Sequence, residues 1–225
     1  FLLDSCTKQF WVSMMAIRDE RKQQSRQALL DAALRLSTSG RSFSSISLRE
    51  VAREVGLVPT AFYRHFQDMD HLGQELLDQV ALHLKTVLHQ LGLAYLSQLG
   101  SKSQNTLQLF FQAVDQNPEP WIFMISERWG GSKVVRQAIG REIEFLIDDL
   151  VNDLRRIESL KHIQDENDLK VLSTILTNLS FTWAMTWISL SRQHSGLALK
   201  EQQEQFMQQA ATELRFMFRG VSNWT

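Results

Sequence analysis

Residues 47–66 read SLREVAREVGLVPTAFYRHF, and the fold follows from this stretch. Leu48, Val51, Ala52 and Val55 recur at i, i+3, i+4 and i+7, the spacing of one buried helix face. Ser47 and Glu50 form an S-x-x-E capping box, which predicts where this helix starts. Gly56 predicts its end, because the left-handed residue that closes a helix strains any side chain bearing a Cβ. Pro59 suits the first turn of a second helix, where the missing N–H costs no hydrogen bond. Phe62 and Phe66 lie one turn apart there and face inward. Two short helices, 47–55 and 59–66, joined by a tight glycine turn make a helix-turn-helix.

Such a unit lays its second helix in the major groove of double-stranded DNA, which is just wide enough for one helix. With both phenylalanines turned inward, Pro59, Thr60, Tyr63 and Arg64 face outward and His65 lies at the groove edge. Arginine bonds guanine bidentately, while Thr and Tyr hydroxyls suit phosphates. Ser47 and the N–H groups of its helix start are candidates for a phosphate, and Arg49 projects from the same turn. The basic arm Arg18–Arg26 is a candidate to follow the nucleic-acid backbone.

The charge distribution agrees. The 225 residues carry a net charge of -1. Between Arg18 and Phe66, however, nine Lys and Arg face five Asp and Glu. A basic first third joined to an acidic remainder points to a polyanion at one end. With 44% hydrophobic residues the chain can build a substantial core. Ten Gly and three Pro are too few for a many-stranded sandwich or barrel. The single cysteine, Cys6, excludes an internal disulfide framework and a Cys-rich zinc site.

Helical periodicity runs through the rest of the chain, so the expected class is all-α. Leu29, Ala32, Ala33 and Leu36 stripe a helix stopped by Gly40. Leu72, Leu76, Val80, Leu84 and Leu88 stripe a longer one, which Gly92 and residues 97–103 loosen. Further helices are expected at 107–114, at 121–129, over Val135–Leu154, near 168–192 and near 200–221. Val171–Ser191 is free of charge and long enough to span a bilayer, but nine of its 21 residues are polar, which favours burial in protein. Residues 1–17 lack the features of a signal peptide; they read as a poorly ordered leader, with the natural start at Met14 or Met15. Residues 18–68 then form the helix-turn-helix domain and 69–225 a larger helical domain.

The run SISLREVAREVGLVPTAFYRHFQDMDHL closely resembles the DNA-binding domain of the TetR family of one-component regulators. Within that family, SFSSISLREVAREVGLVPTAFYRHFQDMDHLG and the later ISERWGGSKVVRQAIGREIEFLI are most similar to repressors of unsaturated fatty acid biosynthesis. Met69 stands where many members have Lys, and Thr60 where Gly is common. The resemblance implies a cytoplasmic homodimer that binds double-stranded operator DNA, with no membrane partner. It also implies a four-helix interface built from the last two helices of each subunit. Leu172, Leu176, Leu179, Trp183 and Trp187, then Phe206, Ala210, Leu214, Met217 and Val221, are the residues expected there or in the monomer core.

Aromatic and Met side chains concentrate between residues 110 and 187. Phe110, Phe111, Trp121, Met124, Trp129, Phe145, Phe181, Trp183 and Met185 are candidates to line a tunnel for an apolar tail. The resemblance implies a hydrophobic effector there, a long-chain acyl-CoA or acyl carrier thioester. Its phosphates would need cations, and Arg128, Lys133, Arg136 and Arg141 are candidates. A repressor of an efflux or solvent-resistance operon, sensing another hydrophobic molecule, is the alternative. A helical enzyme is a remote third, since G-x-S-x-G, H-E-x-x-H and a P-loop are absent. No catalytic residue, metal site or cofactor is expected; the six histidines show no tight metal spacing, and His83 and His89 fall off one helical face.

Overall fold

A computed structural model describes residues 2–96 and 103–224. Among these residues there are nine α-helices, two 3-10 turns and no strand. The helices are α1 (Leu2–Thr38), α2 (Leu48–Glu54), α3 (Pro59–Phe62), α4 (Met69–Leu96), α5 (Ser103–Gln116), α6 (Pro118–Glu127), α7 (Lys133–Leu154), α8 (Glu166–Gln193) and α9 (Gly196–Ser222). The chain divides into two compact units, Phe1–Leu76 and Leu77–Thr225. The division falls inside α4, eight residues beyond the expected boundary after 68. The helix α1 also begins at Leu2, inside the stretch expected to be a poorly ordered leader, with no break at Arg18. Residues 97–102, where the chain was expected to loosen, lie outside the described residues, and α4 continues through Gly92.

In the first unit, Leu29, Leu30, Ala32 and Ala33 of α1 are fully buried, as are Val51 and Ala52 of α2 and Phe62 of α3. Burying one such large side chain contributes about 1.5–3 kcal/mol. The helix α2 starts as its sequence dictates: the Glu50 backbone N–H donates to Ser47 Oγ, and the Ser47 N–H donates to the Glu50 carboxylate at 2.9 Å. It ends on Gly56 at φ +69°. There the Gly56 N–H reaches the Arg53 carbonyl and the Leu57 N–H reaches the Ala52 carbonyl, the paired bonds of a Schellman cap. The second helix of the motif is shorter than expected. Beyond Phe62 the His65 N–H bonds the Phe62 carbonyl three residues back, so the chain tightens into a turn through Tyr63, Arg64 and His65.

In the second unit, α7 packs chiefly on α8, and α8 also meets α5, α6 and α9. Trp121, Phe123 and Met124 of α6 are fully buried among these helices. A separate apolar cluster gathers Val151, Leu154, Leu160, Ile163, Leu169 and Leu172, with Met217, Phe218 and Val221 of α9 packed against it. The uncharged run expected to be buried forms most of α8. Thr174, Asn178, Thr182 and Thr186 each donate to the backbone carbonyl four residues earlier, at 2.7–3.0 Å. None of the described helices is long and apolar enough to cross a membrane.

Candidate nucleic-acid interface and effector cavity

The motif holds its outward residues by burying their neighbours. Phe62 and Phe66 are shut in the core with ring centroids 5.5 Å apart. Pro59, Thr60, Tyr63 and Arg64 are exposed on the opposite side, and the Tyr63 ring meets Phe62 edge-on at 5.9 Å. Arg49 and Arg64 have no side-chain partner among the described residues. Ser47 does have one. Its hydroxyl donates to Glu50 at 2.9 Å, so the helix start expected to receive a phosphate already holds a carboxylate. Arg41 anchors that carboxylate at 3.0 Å and also bonds the Ser45 carbonyl at 2.8 Å. The Arg41 bond, then the bonds from Ser47, lower the Glu50 pKa to about 2.

His65 is half-buried, and its Nδ1 has no hydrogen-bond partner. Burial, then the charges of Lys22, Arg26 and Arg64, push its pKa below the ordinary histidine value. A positive field therefore converges beside the short helix. Arg26, expected to follow a nucleic-acid backbone, is instead ion-paired with Glu75, and its guanidinium lies over the Phe66 ring at 5.1 Å. The sequence places Arg26 in a basic arm but does not reveal Glu75, three helices further on in α4, as its partner.

The second unit contains a cavity of about 550 Å³ bounded by α4, α5, α7, α8 and α9. Leu107, Phe110, Leu146, Leu150, Leu176 and Trp183 supply much of its apolar wall, with Thr177 and Ser180 among them. Phe110 and Trp183 are thus the expected aromatic residues that line it. Phe111 lines a smaller recess of about 490 Å³ between α5, α8 and α9, stacked on Trp187 at 4.2 Å. Trp121, Met124 and Phe181 are core residues that touch neither space, and Met185 is half-buried outside both. Two expectations fail outright. Trp129 is 84% exposed and Phe145 59% exposed. Trp129 follows the last turn of α6, and α7 turns Ile143, Leu146 and Ile147 inward, leaving Phe145 outside.

The expected cations also lie elsewhere. Arg128 donates to Asn178 at 3.3 Å, and Arg136 closes the turn after α6 by bonding the carbonyls of Gly130 and Gly131. Neither these nor Lys133 and Arg141 line the cavity; Lys85, His89 and Arg156 do. Charged residues on α4 and α7 read in the sequence as a solvated face, and only the gap between the helices reveals them as cavity wall. Likewise Leu172, Trp183, Trp187, Ala210 and Leu214, candidates for a subunit interface, close the core of the unit itself. The exposed large apolar residues of the same two helices are Val171, Ile175, Leu197 and Phe216. No cluster of His, Cys, Asp and Glu suited to a metal occurs among the described residues.

Comparison with known proteins places both units. The family profile for bacterial regulatory proteins of the tetR family matches residues 29–76. The profile for the tetracyclin repressor-like C-terminal domain matches residues 99–212. Solved structures share the fold at low identity. The fatty acid degradation regulator FadR from Bacillus halodurans is 12% identical, with a TM-score of 0.60 over 85% of this chain and 96% of its own. A transcriptional regulator from Aquifex aeolicus VF5 is 13% identical, with a TM-score of 0.59 over 86% and 99%. Reduced E. coli NemR is 16% identical, with a TM-score of 0.57 over 86% and 97%. With a tetR-type helix-turn-helix followed by a repressor-like helical domain that spans half its length, the chain belongs to the TetR family of bacterial transcriptional regulators.

Proposed function

We propose that this regulator represses fatty acid synthesis genes as a homodimer whose DNA affinity is set by a long-chain acyl thioester. The observation that carries the effector half of this reading is the cavity of about 550 Å³ with an apolar wall and a charged rim. A space of that size and lining suits an amphipathic small molecule. The likeness of the fold to a structure described as a fatty acid degradation regulator supports the same direction. On the DNA side, Arg64 reads a base edge, Thr60 and Tyr63 contact the adjoining backbone, Pro59 fixes the approach, and Arg49 and His65 flank them.

The symmetric pair must present two recognition segments to half-sites about 34–36 Å apart on one face of the duplex. The effector changes DNA affinity only by favouring one separation over the other, with a coupling of about 1–3 kcal/mol. Bent, unsaturated chains fill the cavity differently from straight ones and favour the DNA-bound state.

The test maps bound promoters across the genome and then titrates purified protein with those fragments, with and without saturated and unsaturated acyl-CoA. Binding at fatty acid synthesis promoters that responds to chain saturation is expected. Occupancy confined to efflux operons, with no acyl response and another hydrophobic molecule carried through purification in native mass spectrometry, overturns the reading.

A further inference from the structure

The helices α4 and α7 flank the cavity without forming a tightly packed pair; α7 packs on α8 and α6 instead. Side chains bridge the gap. Lys85 pairs with Asp149 at 2.5 Å, and one turn further along both helices His89 pairs with Asp153 at 2.7 Å. About two turns in the other direction stand Asp78 and Glu142, where burial, then the charge of Asp78, holds the Glu142 carboxyl above its ordinary value. These rungs advance in step, so the two helices run in the same direction on either side of a seam. All four residues of the two ion pairs line the cavity.

The seam is electrically uneven. Its two aspartates are each already partnered, Asp149 by Lys85 and Asp153 by His89, whereas Asp78 and Glu142, neither of which lines the cavity, place two carboxylates at one end. At the opposite end Arg156, just beyond α7, lines the cavity and has no side-chain partner among the described residues. A cationic head group would have to strip Lys85 or His89 from its aspartate. An anionic one meets an uncompensated guanidinium whose fork matches a carboxylate or phosphate. The apolar wall of Leu107, Phe110, Leu150 and Trp183 lies alongside to take a tail.

We propose that the α4–α7 seam is the head-group site of this cavity and takes a carboxylate or phosphate at its Arg156 end, with the apolar tail running inward. The proposal rests on the reading of the cavity as an effector site, and it moves the recognition of negative charge away from the start of α7 to residues that the sequence pattern hides.

The test uses the full chain and follows tryptophan fluorescence, since Trp183 lies in the wall, while titrating dodecanoate, dodecyl phosphate, dodecanol and dodecyltrimethylammonium. At least one of the two anions is expected to bind about tenfold or more tighter than dodecanol, and whichever leads names the head group. Arg156→Gln removes that preference and leaves dodecanol binding unchanged; Arg156→Lys restores part of it; Arg136→Gln changes neither. Equal affinity for anion and alcohol, tighter binding of the quaternary ammonium, or loss of the preference in Arg136→Gln but not in Arg156→Gln overturns the proposal while dodecanol binding still supports an effector cavity. Failure of all four to bind overturns both.

Discussion

Around His65 the chain gathers three cations, Lys22, Arg26 and Arg64, that differ in what they are free to do. Arg26 is spent on Glu75 and Phe66, whereas Arg64 is exposed and unpaired. Arg64→Ala should therefore weaken binding to the cognate operator by about 1–3 kcal/mol and relax preference at one base position, as read by fluorescence anisotropy on single-base variants. An equal loss on every sequence would make Arg64 a phosphate contact instead. His65 has the opposite leaning, towards neutrality. Its folded pKa lies below its ordinary value near 6.5, so the unfolded chain binds the extra proton first. Its contribution to stability is complete above the ordinary value and is lost as pH falls towards the depressed one. The melting temperature should drop on acidification through that window, and His65→Gln should flatten the drop; identical slopes in the two proteins would remove His65 from the account. A third residue, Gly130, has no room for a side chain: a Cβ would collide with the buried Glu127 carboxylate and stand 3.1 Å from its Cα. Gly130→Ala should cost about 1–3 kcal/mol in denaturant unfolding.

At the scale of the element, α2 shows how a seven-residue helix is kept in place. Too short to persist alone, it depends on its two caps and its buried face. Because the Glu50 pKa is lowered to about 2, its bonds persist through the usual carboxylate range and are lost only as pH falls towards that value. Arg41→Ala should shift the Glu50 titration upward towards the ordinary range, measurable by NMR of the side-chain carboxyl. A curve that stays where it was would assign the lowering to Ser47 alone. The boundaries of this helix were legible in the sequence because Ser47, Glu50 and Gly56 act on their immediate neighbours. The end of α3 was not, because nothing local to Tyr63-Arg64-His65 forbids another helical turn, yet Arg64 and His65 bond carbonyls three residues back. The same distinction explains the cavity. Phe110 and Trp183 stood out by type, but Lys85, His89 and Arg156 acquire their role from helices far apart in sequence. Phe145 and Trp129 misled because aromatic character says nothing about which side of a helix faces inward.

At the scale of the whole molecule, the proposed pairing of two chains can be tested at the exposed apolar side chains of α8 and α9. Phe216 is 72% exposed on α9, and Val171 and Ile175 are exposed on α8, which packs against it. Phe216→Glu and Ile175→Glu should raise the dissociation constant of a dimer at least about tenfold in analytical ultracentrifugation and depress operator binding with it. Unaltered self-association in both variants would locate the contact elsewhere. The ladder of Thr174, Asn178, Thr182 and Thr186 bears on how such a contact forms. Each threonine hydroxyl has already surrendered its donor to its own helix, so these three positions present methyl groups and bonded oxygens. Drying those threonines against a twin strands no hydroxyl hydrogen in search of an acceptor. A segment that looks hydrophilic letter by letter is thereby able to leave water at little cost, which lets the uncharged stretch of α8 be adhesive.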